Sequence, residues 1–598
     1  MGFDSRLRLG CAALAASLLA AVLAAPARAD DDRDDERCKG VKALRLVNGK
    51  IHTMDAKDRV VSSVLIRNGR FAQVGHGGRD GDDDCVREIN LRGRTAVPGI
   101  IDNHNHIILL GLRPGHDTRI ENARSIQEVL DTLAARARQV PAGEWLTALG
   151  GFNISQFTPP PAPPRMPTLN ELDSVTPKHP VLIMQGFNGP TVTNGLGKAF
   201  FTSLKPPIPV ANDGAIQSGG PSVRALNALR AMQTFEEQKR GLGYAMTYAA
   251  EVGVTTHLDQ GGFTYSGRPI DSNNDVDALA NFDQYRAHDA LRALYHEGKV
   301  FNRIWINFLH MEDDPNTPEL RARLLNVFNN FGDDTVRILG IGEFTAGNPF
   351  IPGSQTWFNG TRLVALARWR NENHSLNFPV GGIPDWKVII DGWQAVHNQI
   401  VSDTSLGLPD GITSLRWVLA HVPVIDTEYL TRLKNLGGGI SLVGGWRYIS
   451  GTATGNGPPF RLIVDSGIRS GMSSDGMQIS PMNPWLGMFY AVTGRNARGD
   501  LINDKQQITR KEVLRLYTAD NDWFLNADDR IGTVEEGRFG DLIVLSDDYF
   551  DPKMVSDVQI KDIYSVLTVV NGKVVHDNLD GRKPIYWNRD SRRRLGLN

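Results

Sequence analysis

From Lys42 onward the chain opens with short runs in which apolar and polar residues alternate: ALRLVNGKIHTM, VVSSVLIRNGRFAQVG and CVREINLRG. Period-two alternation places one set of side chains on a buried sheet face, so these runs predict β-strands. Asn48-Gly49 and Asn68-Gly69 are hairpin signals between them. The same pattern returns near the other end in GTVEEGRFGDLIVLS and IYSVLTVVNGKVVHD, with Asn571-Gly572 as its turn. Two such segments flanking a long middle predict one β-sandwich subdomain built from both termini.

The middle alternates strand and helix patterns, as a parallel (β/α)8 barrel does. Ser125 and Glu128 form a capping box ahead of the apolar stripe Ile126, Val129, Leu130 and Leu133. Thr317-Pro318 opens a helix whose Leu320, Leu324, Val327 and Phe331 share a face before Gly332. Helices are also predicted over Asp426 to Leu436 and Thr509 to Tyr517. Apolar runs at 100–105, 181–185, 254–259, 303–310, 336–343, 377–383, 416–422, 439–445 and 471–475 are the strand candidates, one too many for an eight-stranded barrel. The surplus run is assigned to 181–185, because it lies in the long Pro- and Gly-rich stretch between Gly111 and Arg240. That stretch, with its Pro-rich segment Thr158 to Pro167, reads as an inserted subdomain placed to cover the barrel mouth.

Length and composition leave this picture intact. A chain of 598 residues, 41 % hydrophobic and 22 % charged, is long enough for a large core with more than one structural unit. Its formal net charge of -2 lends no support to a nucleic-acid or membrane-surface role. At the N-terminus, Arg6 and Arg8 precede an apolar run from Leu9 to Ala25 and then Ala27-Arg28-Ala29, the plan of a secretory signal cut after Ala29. Export to the periplasm or medium is therefore expected, without a membrane anchor after cleavage. Cys11 leaves with the signal, so the mature chain keeps Cys38 and Cys85, and a disulfide between them would add ~2 to 4 kcal/mol. The resulting division is a leader at 1–29, sandwich strands at 30–97, a barrel over 98–525 with an insertion at about 111–240, and the rest of the sandwich at 526–598.

Chemistry enters at RTAVPGIIDNHNH, Arg94 to His106. On a strand the imidazoles of His104 and His106 project to the same side and converge on one point, which is metal-ligand geometry. Other polar residues fall at the ends of barrel strands: Glu343 after RILGIG, His421 in WVLAH and Asp475 in GMSSD. Barrel active sites lie at the C-terminal ends of strands, so these five face one cavity. Two imidazoles and one or two carboxylates suit zinc or a similar divalent ion with a position left for water. Such an ion acidifies water and polarises a carbonyl, while a carboxylate takes up the proton and passes it to a leaving nitrogen.

The pattern PG-I-I-D-x-H-x-H resembles the first-strand signature of the amidohydrolase superfamily. PTLNELDSVTPKHPVLIM, AEVGVTTHLDQGG, SLRWVLAHVPVIDTEYL, GMSSDGMQISPMNPWLGMFYAVTGRN and GTVEEGRFGDLIVLS resemble its family-3 branch, that of the hydrolases similar to N-substituted formamide deformylase. The resemblance implies His104 and His106 as strand-1 metal ligands and Asp475 as strand-8 ligand and general base. It also implies His421 as the strand-6 histidine, a ligand and catalytic group, and Glu343 in the strand-4 bridging position. Two departures stand out. Gly381 of PVGGIPD occupies the place of the strand-5 histidine, and GFNGPTVTN at 186–194 lacks a histidine associated with substrate contact. The first predicts one firmly bound ion, with Glu343 its fourth contact or second-shell partner and His421 turned toward substrate; Asp385 could complete a second site. His257, His374 and His397 are read as core, cap or surface residues. The expected activity is hydrolysis of a C–N bond in a small amide, N-acyl or cyclic amide substrate. The alternatives are a degenerate small-molecule binder without turnover, and deaminase or lyase chemistry on the same metal. Trp357, Trp446 and Trp485 are candidate lining for an apolar pocket, and homo-oligomerisation is left open.

Overall fold

A computed structural model describes residues 43–75, 85–157, 164–262, 286–348, 351–450, 457–476 and 478–581. The leader and Cys38 lie outside the described residues, as do 158–163 of the Pro-rich segment. Cys85 is described and half-buried, and its carbonyl accepts from the Ala43 amide at 3.1 Å.

Eight parallel strands form the central sheet: Ile100–Asn105, Val254–Asp259, Arg303–Phe308, Val336–Ile341, Arg370–His374, Val418–His421, Gly439–Val443 and Arg469–Ser473. They are strands 1 to 8 of a barrel. Each pairs with its successor, and the Asp475 amide donates to the His104 carbonyl at 2.8 Å, drawing strand 8 back to strand 1. Outer faces are covered by helices such as Asp385–Ser402, whose Ile389, Trp393, Val396 and Ile400 are buried.

The fifth strand is where sequence and structure differ. The run 377–383 is not a barrel strand: it contributes Pro379–Val380 and Ile383–Pro384 to a two-stranded ribbon, with Gly381 and Gly382 at its tip in left-handed conformation. Barrel strand 5 is the polar segment RNENH before it. The helix begun at Pro318 also ends early, at Asn326, leaving Phe331 61 % exposed instead of on a buried face.

Val181–Met184 stands outside the barrel, in a five-stranded sheet with His116–Asp117, Leu146–Leu149, Thr191–Thr193 and Ala215–Ile216. This inserted unit, with a core of Leu133, Phe152, Ile183 and neighbours, sits on the C-terminal face of the barrel. Gly151 donates to Gln478 O at 2.9 Å, and Ser155 Oγ to Ile449 O at 3.1 Å, in the segments that follow strands 8 and 7. The chain returns through the helix Phe235–Val252, which Gly253 ends at φ 90°.

The two termini meet in one six-stranded sheet, in which Thr95–Pro98 pairs antiparallel with Leu542–Leu545. A four-stranded sheet of Ala43–Val47, Ser63–Arg67, Arg70–Gly75 and Val86–Asn90 shares its core, where Leu44, Ile66 and Phe71 join Val544 and Leu567. Asn68-Gly69 and Asn571-Gly572 are tight turns with φ positive at both residues, the geometry a two-residue hairpin requires. Asn48-Gly49 is different: it carries the chain from the four-stranded sheet into the six-stranded one, so it joins no hairpin.

Candidate metal centre

At the C-terminal end of the barrel six side chains converge, each buried: His104, His106, Glu343, His374, His421 and Asp475. Strand 1 delivers the first two. His104 Nδ1 donates to Glu372 Oε1 at 2.5 Å and His106 Nδ1 to the Gly261 carbonyl at 3.2 Å, so each ring presents Nε2 inward. Those nitrogens lie 3.3 Å from Glu343 Oε2 and Oε1 respectively, and 3.7 and 3.4 Å from Asp475 Oδ1. His421 Nε2 is 3.3 Å from His104 Nε2, 3.5 Å from Glu343 Oε2 and 3.7 Å from Asp475 Oδ2.

Local backbone conformation aims the last two groups. His421 and Asp475 adopt left-handed φ values of 68° and 49°, a region sparsely populated by residues other than glycine. Each therefore turns inward at the point where its strand stops. Behind them Asp102, buried beneath the site, accepts from the Ser474 amide at 2.9 Å and from the Ser474 hydroxyl, fixing the segment that carries Asp475.

The sequence reading missed His374. It ends strand 5, and its Nδ1 lies 3.0 Å from Glu343 Oε2, with its ring 5.2 Å from that of His421. The strand-5 histidine is thus present and Gly381 does not occupy its place. The ten-residue segment 375–384, which carries the ribbon between His374 and the barrel helix, displaced the apparent alignment. Asp385 is not a ligand either: its carboxylate is taken up by the Ser375 hydroxyl and the amides of Leu376, Asn377 and Phe378, which hold that loop. Glu372, also unforeseen, stands two residues before His374 on the same strand face. Besides His104 it accepts from Asn307 Nδ2 at 3.2 Å, with Arg370 3.8 Å away.

His257 and His397 are as expected. The first is buried between Asn105 and Asn302, the second bonds the Ile412 amide. Trp485 is packed and donates to Val252 O, whereas Trp357 lines a cleft beside Glu343 and His374.

Electrostatics favour a cation. Burial opposes charge on His104, yet Glu343 and Glu372 overcome it and push its pKa up to about 10. His106 is raised too, burial again being outweighed by Asp475 and Glu343. Burial likewise opposes ionisation of Glu343, but His374, His104 and His106 hold it well below the usual carboxylate range. A buried pocket that drives these two imidazoles to protonate is one that attracts positive charge, although burial lowers the pKa of His421. The donors separate into overlapping triads, His104, His106 and Glu343 on one side and Glu343, His374 and His421 on the other, with Asp475 beside His104 and His421. Nitrogen and carboxylate oxygen in these numbers fit a divalent ion.

The amidohydrolase family model matches residues 87–576, most of the chain. This protein belongs to the amidohydrolase family. An N-substituted formamide deformylase from Arthrobacter pascens is 23 % identical over 577 residues, covering 89 % of this amidohydrolase and 98 % of that enzyme. Among solved structures, an uncharacterized metal-dependent hydrolase from Pyrococcus furiosus superposes with a TM-score of 0.53 at 19 % identity, over 85 % of this chain and all of the other. A triazine hydrolase variant gives 0.51 at 16 % identity over 93 % and 98 %. These structures share the fold. The family and the centre together make this amidohydrolase a metal-dependent hydrolase acting on carbon–nitrogen bonds.

Proposed function

We propose that this amidohydrolase hydrolyses the C–N bond of a small amide, N-acyl or cyclic amide substrate at a centre holding two divalent ions, zinc being the expected metal. The observation that carries the two-ion reading is His374 against Glu343, which supplies the protein ligands that a strand-5 gap would have removed. His104, His106 and Asp475 would hold one ion, His374 and His421 the other, with Glu343 shared between them. A divalent ion in this cradle supplies Lewis acidity, acidifying water and polarising a carbonyl.

The remaining work falls to the chain. Asp475, whose Oδ2 makes no hydrogen bond among the described residues, would take a proton from the attacking water and deliver it to the leaving nitrogen. Glu372 and Gly261 fix the ring orientations of His104 and His106, and the inserted unit closes over the segment after Asp475. Retention of the full donor set supports turnover over a binding-only role. The reading is tested by metal quantitation followed by an amide panel with and without zinc, and it fails if the loaded protein cleaves no C–N bond in the panel.

The leader plan at 1–29 further supports export, with the mature protein starting at Asp30 and Cys38 bonded to Cys85. N-terminal sequencing of secreted material, with thiol titration of the denatured and unreduced protein, tests both; an intact Met1 or two free thiols contradicts them.

A further inference from the structure

Beside the centre, on the His374 side, lies a narrow cleft between the segment after strand 4 and two barrel helices. Its inner end is formed by Glu343 and His374, and its walls by Phe344, Ala346, Pro352, Trp357 and Ile389. The polar groups that border it are committed elsewhere. Thr345 Oγ1 donates to Asn371 at 2.8 Å, Asn373 Nδ2 donates to Thr345 at 2.9 Å, and Asn373 Oδ1 accepts from Trp357 Nε1 at 3.2 Å. Apart from these, and from Glu343 and His374 at the inner end, the side chains that face the cleft are apolar.

The walls are also firm. Trp357 is tied to Asn373 and lies over Gly392, where a Cβ would stand 2.5 Å from its ring. The Phe344 ring meets that of His374 edge-on at 4.5 Å. The clear space between these walls admits a group of about the size of one water or methyl. Close-packed walls resist anything larger.

Resting on the amide-hydrolysis reading above, we infer that this cleft is the acyl-substituent subsite, and that it restricts the enzyme to amides of short acyl groups, formyl and acetyl. The side follows from Asp475. The proton for the leaving nitrogen comes from Asp475, which clusters with His104, His106 and His421. His374 lies on the far side of that shared His421, against Glu343 at 3.0 Å. A carbonyl carbon held between them with its nitrogen toward Asp475 directs its other substituent toward His374, into the cleft.

The test compares kcat/KM of the zinc-loaded full chain on formanilide, acetanilide, butyranilide and benzanilide, for wild type, Trp357→Ala and Trp357→Phe. Wild type is expected to favour acetanilide over butyranilide by about 100-fold, the scale on which a tight apolar pocket resolves methylenes. Either variant should raise the butyranilide-to-formanilide ratio at least tenfold; being a ratio, it is unaffected by a loss of folded enzyme. In parallel, calorimetric binding of formate, acetate, butyrate and benzoate to the same zinc-loaded protein reads the subsite without turnover, and affinity should fall beyond acetate. Acyl-length indifference in rates or in carboxylate binding, or an unchanged ratio in both variants, overturns the subsite. Absence of turnover on every amide, with carboxylate affinity still falling beyond acetate, overturns the hydrolysis reading and upholds the cleft's size limit.

Discussion

Nδ1 of His374 and Oε2 of Glu343 are 3.0 Å apart, although 31 residues separate them along the chain. Glu343 also reaches His104, His106 and His421, so one carboxylate touches every imidazole of the centre. A single ion leaves such a carboxylate with surplus nitrogen donors; a pair of ions shares it.

The first prediction is accordingly a metal count. Extensively dialysed wild-type protein should retain about two equivalents of divalent metal, and His374→Ala about one, because a tightly held ion ordinarily keeps three protein ligands. Elemental analysis of both proteins decides it, and one equivalent in wild type restores the single-ion arrangement.

How much of this was readable beforehand depends on the kind of strand. Strands 1, 6 and 8 announce themselves because an apolar run precedes the functional residue: Ile100-Ile101 before His104, Val418-Leu419 before His421, Met472 before Asp475. Strand 5 has no apolar residue at all; RNENH is wholly buried, and its polar side chains find partners inside the barrel, Glu372 in His104 and Asn307, Asn373 in Thr345. A search for apolar periodicity passes over such a strand and settles on the nearby Val380 and Ile383, which belong to an exposed ribbon. Alternation of Arg370, Glu372 and His374 was the available signal. The strands of the two termini depend on ordinary alternation and turn residues and were legible for that reason, whereas Asn48-Gly49 joins no hairpin and the helix begun at Pro318 stops at Asn326.

Glu372 gives the second prediction. Its carboxylate orients His104 and fixes which nitrogen faces the centre, the role of an outer carboxylate behind a metal-binding imidazole. Glu372→Gln keeps the shape but loses the charge, and should weaken metal binding by about 10- to 100-fold in chelator competition. It also leaves Arg370 buried without its neighbouring carboxylate, so a lower Tm is expected alongside. Unchanged metal affinity would remove Glu372 from the centre's support.

Asp475→Asn is the third. Asparagine preserves an oxygen for the ion but has no basicity, so metal content should stay near wild type while kcat falls by about 10² to 10⁴. Near-normal turnover would assign the proton transfer to another group.

The last prediction concerns pH and a site far from the chemistry. Glu251, on the helix that leads into strand 2, is buried, and its Oε2 makes no hydrogen bond among the described residues. Burial pushes its pKa up from 4.5 to about 8, with Arg136 offsetting only part of the effect. In the folded protein the carboxyl therefore keeps its proton to about pH 8, while in the unfolded chain it releases it near pH 4.5. Over that interval the folded state binds more protons, so this group's contribution to stability is most favourable below 4.5, declines as pH rises, and levels off above about 8. The slope is at most about 1.4 kcal/mol per pH unit. Glu251→Gln removes the titration and keeps the shape. The difference in Tm between variant and wild type, each measured with the same metal loading, should accordingly shift in favour of the variant from pH 5 to pH 9. A difference that stays constant between those two pH values, or moves the other way, shows that the carboxyl ionises in the folded protein as freely as in the unfolded chain.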